Sequence, residues 1–354
     1  MKLPRSLRLV PYVLLLIVLL EGVARAVFSS PDVLKSLRGL DVAQRIGWAR
    51  AHGADQKPAF RFDVCDSLRG WALKPGIESL RVFRGKVLNS SSHAVRGIAE
   101  NTYDRTPGKR RILVFGDSFT FGDEVSDGET YAAQLAQLLP NVEVLNLGVH
   151  GYGHDQMLLY VEQEGLKYHP DLVIIGFVWF DMLRNASAFQ SFAKPMFTIE
   201  ADSFVLTRVP VPTPEAVQYA DRWRLRLWDL ASAFAGVAHA RAGYTRTHSE
   251  DLTRRIFDRF VRAVRANGAE PLIVYLPTLA EMIHTDSALS SNERFLDSYC
   301  SVHGVPCLFL RPRFADARSH GVAFDTTAHW DPVRHRLAAE GIAEYLTVTL
   351  KWGR

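Results

Sequence analysis

Cysteine is scarce in this chain, three residues in 354, and no Cys/His arrangement has the spacing of a structural zinc site. Cys300 and Cys307 lie close together at a helix end and a strand start, and two states are open to them: a disulfide in an oxidising compartment, or a pair of buried thiols. Cys65 has no evident partner. A surplus of one charge is also missing: 42 Lys and Arg stand against 38 Asp and Glu, scattered among one another. No basic stripe is interleaved with aromatics, and Lys109-Arg110-Arg111 reads as the solvated approach to a strand, so nucleic acid is excluded as a partner. Internal repeats, low-complexity tracts and a Gly-x-x-x-x-Gly-Lys loop are absent too, which leaves a phosphate-handling α/β protein without a residue set. Gly148, Gly151 and Gly153 miss the dinucleotide spacing. His150 and His154 bracket a glycine-rich loop without an acid at helical spacing, so no metal is expected.

A full-length hydrophobic run is likewise lacking. The charge-free, mostly apolar stretch from Leu9 to Leu20 follows Lys2, Arg5 and Arg8 and precedes Glu21 and Arg25. It falls short of the ~20 residues a membrane span needs, unless Glu21 and Arg25 are tolerated near the far interface. Basic residues ahead of the run orient the N-terminus inward and the rest outward, and Ala24-Arg25-Ala26 fits a small-x-small cleavage pattern. The expectation is export, with residues 1–28 as an uncleaved anchor in preference to a cleaved signal. The catalytic domain then lies outside the cytoplasm, and the membrane is a partner through this segment.

What is present is length enough for a sizeable core and a regular alternation of elements. Residues 29–105 read as a linker and an N-terminal extension that packs on the main domain. From there on, apolar strands at Ile112–Phe115, Val142–Leu147, Leu172–Phe177, Leu272–Leu276 and Val305–Leu310 alternate with helices at Tyr131–Leu139, Asp155–Tyr168, Glu250–Asn267, Asn292–Val302 and Pro332–Val348. Short apolar strands between amphipathic helices imply an α/β fold with a parallel sheet of about five strands covered on both faces. Asp331 and Pro332 suit the N-cap and first position of the last helix. An insertion at about 182–246 interrupts the 106–354 domain, with strand-like pieces at Phe197–Glu200 and Ser203–Val209 and a helical stretch over Tyr219–Ala242.

Three segments carry chemistry. Arg110-Arg111-Ile112-Leu113-Val114-Phe115-Gly116-Asp117-Ser118 ends a strand at a glycine, an acid and a serine, at the sheet edge where open α/β sheets place ligands. Val142 to Gly153 is a second strand breaking into a glycine-rich loop. Asp325-Thr326-Thr327-Ala328-His329-Trp330-Asp331-Pro332 sets a histidine just before the final helix. With Asp171 to Phe177, these resemble the ordered blocks of the SGNH/GDSL hydrolase family, over roughly Asp63 to Leu346, because Gly70 to Gly76 is similar to the lead-in of exported members. The resemblance implies a doubly wound, flavodoxin-like, three-layer α/β/α sheet and a serine ester hydrolase needing no cofactor. Thr120, in place of the second glycine of a Gly-x-Ser-x-Gly elbow, argues against the α/β-hydrolase fold.

On that resemblance Ser118 is the nucleophile and His329 the base, because a serine hydroxyl attacks an ester only when an imidazole removes its proton. His335, one turn into the helix, reads as structural. The family's acid sits two or three residues before the histidine; here Thr326 and Thr327 hold those places, and Asp325, four before, is the expected acid through a loop bulge. The amides of Ser118 and Gly151 are the expected oxyanion donors, and Asp117 and Asn146 are placed with the binding residues. In the Gly-x-Asn-Asp block, Phe180 stands where asparagine is expected, a loss worth ~10²–10³ in turnover; Arg184 or Asn185 is the candidate replacement. The expected substrate is a small-molecule or glycan O-acyl ester, of an exported glycan or a lipid. The alternatives are an O-acyltransferase using the same site and a weakened glycan-binding scaffold. Nothing in the sequence sets an oligomeric state.

Overall fold

A computed structural model of the chain describes residues 5–52, 57–201, 203–283, 288–325 and 327–352; Lys2 and Thr326 lie outside them. Five parallel strands form the central sheet: β1 (Arg110–Phe115), β2 (Val142–Asn146), β3 (Leu172–Phe177), β4 (Glu270–Tyr275) and β5 (Cys307–Phe309), in the spatial order β5-β4-β3-β1-β2. This is the flavodoxin-like order, and its direction reverses between β1 and β3.

Successive strand side chains point to opposite faces, and both faces are apolar. Leu113, Phe115, Val173, Ile175, Ile273 and Tyr275 enter one core, while Ile112, Val114, Leu172, Ile174, Leu272 and Val274 enter the other. The first core is closed by α5 (His154–Gln163), α9 (Tyr244–Ala266) and α10 (Ser291–His303); the second by α4 (Tyr131–Leu138), α11 (Arg311–Ser319) and α12 (Pro332–Glu344). Asp331 caps α12 by accepting from the Arg334 amide at 2.8 Å, with Pro332 in the first turn. Cys300 and Cys307 form a disulfide.

The stretch before β1 has more regular structure than its composition suggests. α1 (Arg5–Ser29) is one helix, and its Leu9–Ser29 part, of mean hydropathy 2.0, is long and apolar enough to cross a membrane. Its C-terminal end is part of the fold: Ala24 and Phe28 are buried, and Phe28 packs with Val42, Ile46 and Ala233. α2 (Asp41–His52) and two antiparallel hairpins, Asp63–Asp66 with Gly70–Leu73 and Leu80–Val82 with Lys86–Leu88, occupy what reads in the sequence as irregular linker. The first hairpin props the glycine-rich loop, because Trp71 Nε1 donates to the His150 carbonyl at 3.0 Å.

The insertion follows β3. It comprises α6 (Asp181–Asn185), the hairpin Met196–Glu200 with Ser203–Thr207, α7 (Pro214–Trp223) and α8 (Arg226–Arg241). The single helical stretch expected over Tyr219–Ala242 is broken at Arg224 and Leu225, both extended.

Candidate active site

β1 ends at Phe115, and the chain turns at Gly116 straight into the single turn α3 (Ser118–Phe121). The turn is tight: a Cβ on Gly116 would meet Thr120 Oγ1 at 2.0 Å, and one on Gly148 would meet the Phe121 amide nitrogen at 2.4 Å. Asp117 caps α3, its Oδ1 accepting from the Phe119 amide at 2.9 Å. Buried Arg96 fixes the following loop by donating to the carbonyls of Gly122 at 2.8 Å and Val125 at 2.7 Å and to Asp127 at 3.0 Å.

Ser118 Oγ lies 3.0 Å from His329 Nε2. These residues are 211 apart in sequence and meet because the loop before α12 folds over the end of β1. The His329 carbonyl accepts from Arg334 Nη2 at 2.7 Å, and the ring lies 5.5 Å from Phe119. Trp330 anchors the next position by donating to the Pro277 carbonyl at 3.1 Å. Ser118 is nearly buried, whereas the His329 side chain is 27% exposed, so the pair opens to solvent on the imidazole side.

The expected acid is not beside the ring. Asp325 is exposed, its amide donates to Asp331 Oδ2 at 2.7 Å, and among the described residues no hydrogen bond joins its carboxylate to His329. The carboxylate that does approach is Asp123, with Oδ2 3.8 Å from His329 Nε2. Its amide donates to the Ser118 carbonyl at 3.0 Å, and its Oδ1 is buried without a partner. Burial pushes the Asp123 carboxyl up, against the pull of His150, His329 and Arg96. Asp123 escapes a reading of the sequence because it lies after the serine block, not before the histidine; the extra acid in Gly122-Asp123-Glu124 was its only signal.

Asp117 and Asn146 are both inside the site, and both are fully engaged. Asp117 Oδ2 accepts from Arg184 Nη1 at 3.1 Å and lies 3.4 Å from Ser118 Oγ. Asn146 Nδ2 donates to the Thr120 carbonyl at 3.0 Å, while its Oδ1 accepts from the Gly148 amide at 3.0 Å. Asn146 therefore ties the serine turn to the glycine loop. That loop runs along β1, with the Val149 amide donating to the Gly116 carbonyl at 3.0 Å. Gly151 within it has φ +75, the left-handed region glycine enters without cost.

Of the two candidate replacements for the missing asparagine, Asn185 is turned away: it is buried and donates to Thr253 Oγ1 at 2.8 Å. Arg184 stays at the site. Its Nη1 donates to Asp117, to Asp181 at 2.6 Å and to the Tyr152 carbonyl at 3.1 Å, and its guanidinium lies 4.6 Å from the Phe180 ring. Among the described residues its Nε and Nη2 make no hydrogen bond. Burial, then the neighbouring Asp117 carboxylate, holds the Asp181 carboxyl well above the ordinary carboxylate range.

The other histidines have different employment. His150 Nε2 faces the Asp63 carboxylate at 2.9 Å. His154 is buried, with its ring centroid 5.0 Å from that of Phe177 and Nδ1 3.3 Å from Asn185. His335 Nδ1 accepts from the Tyr131 amide at 3.1 Å, a structural place like the one its position in the helix suggests. A cavity of about 580 Å³ under the insertion is lined by Arg45, Asp221, Arg224 and Asp229, which pair among themselves, and neither Ser118 nor His329 borders it.

Residues 114–331 match the GDSL-like lipase/acylhydrolase family, which spans more than half of the chain. No curated protein matches the sequence as a relative. Among solved structures, the chain is similar to a member of the lipolytic protein G-D-S-L family from Veillonella parvula, at 14% identity and TM-score 0.40, covering 68% of this chain and 99% of that one. It is also similar to a catalytic mutant of the acetylxylan esterase Axe2 from Geobacillus stearothermophilus, at 12% identity and TM-score 0.38, covering 68% and 94%. The match over residues 114–331, which takes in the serine turn, the glycine loop and the histidine loop, is what assigns this protein: it belongs to the GDSL-like lipase/acylhydrolase family.

Proposed function

We propose that the protein cleaves O-acyl esters through an acyl-enzyme on Ser118. The observation that carries this is the 3.0 Å approach of His329 Nε2 to Ser118 Oγ at the carboxyl end of β1. His329 takes the hydroxyl proton as Oγ attacks the ester carbonyl carbon, then gives it to the departing alcohol oxygen. The oxyanion formed in between is met by the amides of Ser118 and Gly151. The Nε–H and Nη2–H groups of Arg184, which make no hydrogen bond among the described residues, take the place of the family asparagine. Asp123 supplies the negative charge that stabilises the imidazolium, a role for which Asp325 has no contact. Asp117 and Asn146 position the turn and the loop.

Deacylation by water gives hydrolysis; a sugar hydroxyl arriving instead gives acyl transfer, and product analysis with and without a glycan acceptor separates the two. The chain is read as an envelope protein held by α1 with the sheet domain outside the cytoplasm. Two features support this: the apolar Leu9–Ser29 segment and the Cys300–Cys307 disulfide, a bond suited to an oxidising compartment. Burial of Ala24 and Phe28 in the fold favours a retained helix over cleavage at Ala24–Ala26. Exported glycans or lipids are then the accessible esters. The test is labelling with a fluorophosphonate: the adduct is expected on Ser118, and Ser118→Ala is expected to lose both the adduct and p-nitrophenyl acetate cleavage. An alanine variant as fast as the parent sinks the mechanism, and a parent that takes no adduct favours the glycan-binding scaffold.

A further inference from the structure

The sequence leaves a question about α1. Its fully apolar, exposed part, Leu9–Leu20, rises only about 18 Å at 1.5 Å per residue, against a hydrocarbon core of about 30 Å. The structure supplies a neighbour at the point where that run ends. Glu21 accepts from the amides of Arg226 at 3.0 Å and Leu227 at 2.9 Å, so the α1 side chain caps the free N-terminus of α8. Arg25 closes the junction, 2.8 Å from Glu21 and donating to the Arg224 carbonyl at 3.4 Å. The corner between α7 and α8 is thereby fixed at the level of Glu21.

That corner is unusually apolar for a surface. Tyr219 (71% exposed), Trp223 (66%), Leu225 (56%) and Trp228 (66%) all face outward. Tyr219 and Trp223, four apart on α7, share one face. Arg222 and Arg224 are exposed among them, and the Arg222 guanidinium lies 5.7 Å from the Trp223 ring. Tryptophan and tyrosine beside arginine are the side chains that settle at the boundary of acyl chains and phosphate headgroups. Leu20 (41%) and Val23 (57%), which flank the Glu21 that bonds to the first residues of α8, add exposed apolar surface of α1 beside this corner.

We propose that the α7–α8 corner is a membrane-docking collar that seats in the interfacial zone of a phospholipid bilayer. This rests on the reading of α1 as a retained anchor and goes beyond it. Trp223, Leu225 and Trp228 enter the acyl boundary, Arg222 meets lipid phosphates, and the Glu21 cap couples the anchor rigidly to the insertion. The collar lets the bilayer cover more apolar surface than the short α1 run offers by itself, and it fixes the tilt of the sheet domain above the membrane.

The test uses the full chain in nanodiscs of phosphatidylcholine and phosphatidylglycerol, with and without acyl-brominated lipid, which quenches tryptophan on contact. The chain has seven tryptophans, and Trp48, Trp71 and Trp330 are buried in the domain. The expected result is clear quenching in the parent that falls at least threefold in Trp223→Phe/Trp228→Phe, with ester cleavage unchanged as proof that the variant is folded. Equal quenching in parent and variant, or none in the parent, overturns the collar. A doubled particle mass with unquenched tryptophan overturns it in favour of a second copy covering the patch. Alkaline carbonate washing of vesicles reads the anchor separately: protein retained but unquenched refutes the collar alone, whereas protein washed off refutes the anchored reading and the collar with it.

Discussion

Two carboxylates compete for the third place beside Ser118 and His329, and burial separates them. Asp325 is exposed, so solvent screens it and its loss removes little. Asp123 is 7% exposed and 3.8 Å from Nε2, where a charge is screened far less. Asp325→Asn is expected to change kcat/KM on a model acetate by no more than about threefold. Asp123→Asn is expected to lower it on the order of 10²-fold, about 2.7 kcal/mol of transition-state stabilisation. Equal losses from the two variants would reject this assignment. Arg184 is argued at the same scale. Removing its charge would strand buried Asp117 and Asp181, so Arg184→Lys is the informative change: the charge stays and the planar fork goes. A kcat reduced on the order of tenfold with KM nearly constant is expected, below the ~10²–10³ for outright loss of an oxyanion donor. A lowered melting temperature with kcat intact would leave Arg184 a purely structural role. The sequence made Ser118 and His329 legible because each sits in a local block with its own turn chemistry. Asp123 and Arg184 were less so, because their places beside this pair arise where loops remote in the chain meet.

At the level of elements, all five strands were readable, with ends that differ from the observed ones by up to two residues, since each is an apolar run bounded by turn residues. The helices that depend on distant partners were not. α2 has only a weak apolar stripe, and Val42 and Ile46 find their partners in Phe28 and Ala233. The break between α7 and α8 has no proline or glycine to announce it; the first amides of α8 are satisfied by Glu21, about 205 residues earlier. The serine turn is the opposite case, where glycines mark close backbone approach. Gly148→Ala would drive a methyl group to 2.4 Å from the Phe121 nitrogen, a backbone atom that cannot rotate away. Overpacking of this kind costs about 1–3 kcal/mol, and here it displaces α3 itself. Denaturant unfolding should show that loss, and kcat should fall with it. A Gly148→Ala enzyme of parental stability and activity would mean that the loop is looser than its contacts imply.

Over the whole molecule, three buried histidines contribute to how stability responds to pH, and they do not all act in one direction. Burial lowers His154 to about 3, with Arg184 adding to it, and lowers His335 to about 3, with Arg96 and Arg334 adding to it. Burial opposes the charge on His150 as well, but the Asp63 carboxylate outweighs it and His150 titrates above its ordinary value. In the unfolded chain all three take up a proton near pH 6.5. Below that pH the unfolded state carries protons on His154 and His335 that the native state lacks, so this pair's contribution to stability is lost as the medium becomes acid, while the raised carboxyls of buried Asp123, Asp155 and Asp181 hold protons in the native state alone and offset part of that loss. Each proton is worth up to about 1.4 kcal/mol per pH unit. Above pH 6.5 the native state holds the extra proton, on His150, and that contribution fades as pH rises through its raised value. The histidine contribution to stability is therefore greatest near pH 6.5 and declines towards pH 5. His335→Gln keeps an acceptor for the Tyr131 amide and removes one of the two protons. The fall in melting temperature between pH 6.5 and 5, followed by circular dichroism in detergent, should then be smaller than that of the parent; an undiminished fall would mean that His335 is protonated inside the native core.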